Sequence, residues 1–138
     1  MTNTSPFELR LTWARSLFDH GDYAAAATAL VELVDEARES EMMHGTTELR
    51  EMLARAYFGS AQLGRAEATL RDLVADEPTD GYAHLLLGRT LQRQSKHDEA
   101  RQHLALAEVL GDYERPEAYG EAKRDDDASS DDATSGDA

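Results

Sequence analysis

Arg15, Arg55 and Arg89 stand at one register of an internal repeat, separated by 40 and then by 34 residues. A guanidinium is a planar fork of donors that matches a carboxylate, so three gathered on one face would form an anion site. In a chain of net charge −14 that site would be a local exception. Two of the three have an acid one helical turn away, Arg15 with Asp19 and Arg55 with Glu51. Pairing within each helix is therefore the competing explanation, and such surface pairs contribute only about 0–1 kcal/mol. Arg89 and Arg93 have no acid four residues to either side, so anion binding is expected chiefly in the third copy.

Other chemistry is thinly represented. The chain has no cysteine, which excludes disulfides, thiolate metal sites and cysteine nucleophiles. Of the five histidines, His97 and His103 point to different faces of a helix. Glu99 and His103 share a face, but two ligands make a poor metal site. The run Asp125-Asp126-Asp127 lacks the ordered glycine turn of a calcium loop. No phosphate-binding loop, dinucleotide turn, paired-histidine zinc helix or nucleophile elbow occurs. The expectation is a non-enzymatic protein without metal or cofactor.

The elements that must position the arginines follow from the repeat. At an offset of 34, Leu53, Ala54, Arg55 and Tyr57 align with Leu87, Gly88, Arg89 and Leu91. At an offset of 40, Trp13, Ala14, Arg15 and Leu17 align with Leu53, Ala54, Arg55 and Tyr57. Ala26, Ala66 and Ala100 continue the register, each followed four residues later by leucine. Each copy reads as two helices: bulky residues at helical spacing, a small residue where helices approach, a turn, then a second small residue. The turns are His20-Gly21-Asp22, Ala61-Gln62 and Ser95-Lys96. In this register Trp13 and Leu17 are core residues of the first copy.

The pattern bulky, small, aromatic, alanine, bulky, proline is carried in the middle copy by Leu53, Ala54, Tyr57, Ala66, Leu70 and Pro78. It resembles the tetratricopeptide repeat, although the first and last copies have Arg38 and Asp112 where proline is common. The resemblance implies an all-α fold of three helix-turn-helix repeats (7–40, 47–80 and 81–114) stacked as a short right-handed α-solenoid. A lead of 1–6 precedes them. A short capping helix over 115–124 and a disordered acidic tail over 125–138 follow, the repeat domain spanning 7–124. The residues between the first and second copies are expected to extend the second helix to near His44-Gly45, with Met42 and Met43 against the next hairpin.

In this family first helices line a concave groove that takes peptides. Here that face would carry Arg15, Phe18, Arg55, Phe58, Tyr82, Leu85, Arg89 and Arg93. The carboxylate clamp of some co-chaperones is missing: Leu11, Arg15, Met52, Tyr82 and Leu86 occupy its places. The function implied is an adaptor or assembly factor that binds a peptide or helical segment of a protein partner, with an acidic or carboxylate feature. The alternatives are a small acidic chaperone for one client, of the bacterial secretion kind, and a regulatory subunit of an enzyme. The acidic charge disfavours nucleic acid as partner. No stretch of roughly 20 apolar residues suggests a membrane span, and Met1 to Arg10 do not read as a signal peptide. A cytoplasmic protein is expected, monomeric or weakly dimeric through Leu106, Val109 and Leu110.

Overall fold

The structure, a computed structural model, describes residues 5–40 and 46–111. The expected capping helix and acidic tail, and Met42 and Met43, lie outside these residues. Six helices and no strand occur among the described residues: α1 (Pro6–Asp19), α2 (Tyr23–Glu39), α3 (Thr46–Gly59), α4 (Leu63–Asp76), α5 (Gly81–Arg93) and α6 (His97–Leu110). Ser5 starts α1, its hydroxyl accepting the Glu8 N–H, with Pro6 in the first turn where its missing donor is harmless. Asp80 starts α5 in the same way, accepting the Ala83 N–H at 3.1 Å.

The three hairpin turns are one structure built from three sequences. Gly21, Ala61 and Ser95 hold the same register with φ of 84°, 61° and 63°. Each time the next residue returns its N–H to the first helix: Asp22 to Leu17 O, Gln62 to Tyr57 O, and Lys96 to Leu91 O. This six-to-one bond satisfies carbonyls the helix end leaves open. Glycine adopts the left-handed conformation freely, whereas alanine and serine do so at a steric cost. Ala61→Gly is therefore expected to raise the unfolding free energy by about 0.5–1 kcal/mol; a decrease in urea denaturation would show that the turn is not strained.

Each helix packs on its sequence neighbours, with α3 also touching α5. One buried cluster joins α1, α2 and α3 through Ala14, Ala26, Leu30, Leu33 and Leu53. A second joins α4, α5 and α6 through Leu70, Leu73, Leu87, Leu91 and Ala100. The small residues lie at the closest crossings. A Cβ placed on Gly88 would fall 2.6 Å from Leu104 Cδ2.

One expectation is corrected: Trp13 is 62% exposed rather than core, because among the described residues no helix covers it as α2 covers α3. α2 is described to Glu39 with Ser40 as its cap, the Ser40 hydroxyl donating to Glu36 O; its expected extension to His44-Gly45 lies outside the described residues. Leu106 and Val109 are exposed on α6, as anticipated.

The second helices differ in what they show the next hairpin. α2 presents Ala27, Val31 and Val34, which join the buried cluster that contains Leu49 and Leu53. α4 presents Glu67, Arg71 and Val74 at the same register. There Glu67 accepts from Gln94 and Lys96, while Arg71 bonds both Glu67 and Glu99. Burial alone would raise the Glu67 carboxyl, but the Gln94, Lys96 and Arg71 donors outweigh it and hold the pKa at about 2. On α6 the register holds Arg101, Ala105 and Glu108, all exposed. The stack thus passes from an apolar joint to an ionic one to a polar end.

Candidate functional site

The candidate residues lie on α1, α3 and α5, and the structure sorts them by depth. Arg15 and Arg93 are exposed, and Arg55, Phe58 and Arg89 are half-buried. Phe18, Tyr82 and Leu85 are buried and belong to the core clusters. Phe18 gives its ring edge-to-face to Tyr23, with centroids 5.1 Å apart, so its bulk serves packing.

Two aromatics of this face, Phe18 and Phe58, each carry an arginine from the following hairpin. The Arg55 guanidinium lies over the Phe18 ring, 4.7 Å from its centroid. Arg93 lies 4.6 Å over Phe58. It also donates from Nη1 to the Phe58 carbonyl at 3.1 Å. Stacking uses the flat face of a guanidinium and leaves its in-plane edge for a carboxylate. The two stacks therefore fix arginines in orientation while joining one hairpin to the next.

Glu51, one turn before Arg55, was the expected internal partner of that arginine. Its pKa is raised to about 8 by burial, by its hydrogen bond to Asp80 and by the Asp80 charge, with Arg55 opposing. Asp80 already accepts the Ala83 N–H as the cap of α5, so the shared proton resides on Glu51. Glu51 thus holds its proton more tightly than an ordinary glutamate, which weakens the negative charge beside Arg55.

A tetratricopeptide repeat model matches residues 17–89. The chain belongs to the tetratricopeptide repeat family. It is also similar in fold to the solved structure of MamA (MSR-1 C2), with a TM-score of 0.65 at 18% identity. That match covers 76% of this chain and 57% of MamA, so this chain spans little more than half of that protein's length. No curated protein sequence matches. As a tetratricopeptide repeat protein it is a module for protein–protein interaction. No described helix is long and apolar enough to cross a membrane.

Within the tetratricopeptide frame, sequence reasoning missed a repeated latch between the two helices of a hairpin. Arg10 bonds Glu36 at 2.7 Å, and Arg50 bonds Asp76 at 2.8 Å. Both pairs span 26 residues, a spacing that would have revealed them. The third repeat has His84 and Leu110 at these registers and uses a different device. His84 Nε2 lies 2.8 Å from the Pro78 carbonyl and must donate to it. His84 Nδ1 lies 3.1 Å from His103 Nδ1, so one of the two carries the hydrogen between them. Burial first, then the neighbouring His84 and Arg71, lowers the His103 pKa, with Glu99 opposing. These contacts hold the fold. Among the described residues no three histidines, aspartates or glutamates gather to bind a metal.

Proposed function

We propose that the face of α1, α3 and α5 binds an acidic segment of a partner protein, with Arg15, Arg55, Arg89 and Arg93 as the receiving groups. The observation that carries this reading is the pair of arginine–phenylalanine stacks, which hold two guanidiniums in fixed planes along one face. Preorganised donors lose less freedom on binding than free ones, and this favours affinity. The raised pKa of Glu51 supports it by weakening the negative charge beside Arg55. Phe58, half-buried among these groups, offers apolar surface beside the charges. The role is that of an adaptor or assembly factor in the cytoplasm, acting as a monomer or weak homodimer.

A chaperone for one client is the second reading. It is favoured by exposed Leu106 and Val109 on α6, at registers where the first hairpin carries Glu32 and Asp35.

The test is binding of a fluorescein-labelled peptide of six alternating glutamate and leucine residues. Arg15→Gln with Arg89→Gln is expected to weaken binding at least about tenfold, since charge-assisted hydrogen bonds are worth about 1.5–3 kcal/mol. Wild-type affinity should fall as salt rises. Arg55→Gln should weaken binding too, and also cost about 0.5–2 kcal/mol of stability through the lost Phe18 stack. Equal binding by wild type and the Arg15, Arg89 variant would leave the arginines as surface groups.

A further inference from the structure

Leu9 and Trp13 lie one turn apart on α1 and are 60% and 62% exposed. The same registers hold Leu49 and Leu53 on α3, and Ala83 and Leu87 on α5, all buried. What differs is the neighbour: α2 covers α3 and α4 covers α5. Among the described residues, α1 has the receiving surface of this repeating joint without its second half. We propose that this open end is a docking site for an amphipathic helix of a partner protein, seated as α2 and α4 are seated. The site is independent of the arginine face and does not rest on it.

The two internal joints specify the chemistry of the incoming helix. At the second joint Glu67 of α4 meets the turn residues Gln94 and Lys96 at 2.8 and 3.0 Å. The corresponding turn residues of the first hairpin are His20 and Asp22, both exposed. The charge is reversed, so the incoming helix carries lysine or arginine where α4 has Glu67. Four residues on, Arg71 of α4 meets Glu99, a place taken in the first hairpin by Ala25. A small apolar residue fits there. Seven residues on stand Val34 and Val74 in the two internal joints, so an aliphatic residue is required over Leu9 and Trp13. The motif is basic, small and aliphatic at i, i+4 and i+7, which lie along one side of a helix. The exposed end of this chain's own α6 offers Arg101, Ala105 and Glu108. The first two fit, but Glu108 would set a carboxylate against Trp13 and Leu9. The occupant is therefore a different protein rather than a second copy.

Trp13 is the only tryptophan, so its emission, excited at about 295 nm to avoid tyrosine, reports the site directly; its environment becomes less polar when covered. The probe is an acetylated, amidated peptide that copies α2 (Tyr23–Glu39) with Ala27→Lys, and the control carries Ala27→Glu. The lysine peptide should give a saturable blue shift. At low salt the glutamate peptide should bind at least about tenfold more weakly, and the gap should narrow at high salt. The protein with Leu9→Glu, changed at an exposed side chain and so still folded, should lose the shift with both peptides. The proposal is overturned by no shift with the lysine peptide, by equal affinity for the two peptides, or by undiminished binding to Leu9→Glu. A blue shift that grows with protein concentration in the absence of peptide would assign the face to a second copy, and that also overturns it.

Discussion

Leu87→Ala should lower the unfolding free energy by about 2–5 kcal/mol, the range for truncating a buried leucine, whereas Trp13→Ala should change it by less than about 0.5 kcal/mol. The two residues hold the same register, and tryptophan is the larger. Side-chain size alone would therefore predict the reverse order. Leu87 is fully enclosed, sharing its cluster with Leu70 and Leu73 of α4 and Ala100 of α6. Its removal leaves a cavity that rigid helix crossings cannot close. Trp13 keeps most of its surface in water, so its removal forfeits little burial. Urea denaturation of both variants measures the difference. Because each hairpin depends on its neighbours alone, amide exchange in Leu87→Ala should accelerate first in α5 and α6. A larger loss from Trp13→Ala would mean that α1 is covered in solution.

Glu51→Gln should stabilise the protein in alkaline solution by about 1–2 kcal/mol and change little in acid. The folded-state pKa of Glu51 stands near 8 against a glutamate's usual 4.5. A raised pKa means that its favourable contribution is complete below about 4.5 and fades as pH rises through about 8. Across that window the unfolded chain releases a proton that the folded chain retains, so unfolding gains as pH increases. Glutamine preserves the donor toward Asp80 and cannot ionise, so it removes the pH-dependent loss. The side chain is only part-buried, and solvent screening keeps the gain well under the full linkage value. Denaturation at pH 5 and pH 9 checks the sign: the advantage of the variant should appear at pH 9. Parallel stabilities at both values would show that Glu51 ionises in the folded state as it does in the unfolded one.

The solenoid was legible because helix crossings admit few side chains. Alanine or glycine recurs at Ala14, Ala54 and Gly88, and alanine at Ala26, Ala66 and Ala100; these small positions held the register while the bulky ones varied. The exposure of Trp13 was hidden, because a repeat register treats every copy alike and is blind to the loss of a neighbour at an end. The arginine row was visible as a recurrence, but its aromatic seats were not. Arg55 and Arg93 belong to different registers of their hairpins, so no single offset pairs Phe18 with one and Phe58 with the other. The contact of Glu51 with Asp80 crosses from one hairpin to the next, beyond any search for partners one turn away. The Arg10–Glu36 and Arg50–Asp76 latches were within reach of sequence reasoning, since both span one fixed distance along the chain.

The graded second-helix faces mean that the three hairpins are not interchangeable parts. Duplicating the first would create another joint of Ala27, Val31 and Val34, and the array could lengthen by that route. Duplicating the last would bury Arg101 and Glu108 in the new joint. Arg101 has Asp98 as a partner, but a buried Glu108 carboxylate without one would cost several kcal/mol, more than many small domains can spare. Copying the first hairpin is thus less costly than copying the third. Engineered extensions meet the same asymmetry: new hairpins should be added ahead of α1, or after α6 only once Arg101 and Glu108 have been made apolar.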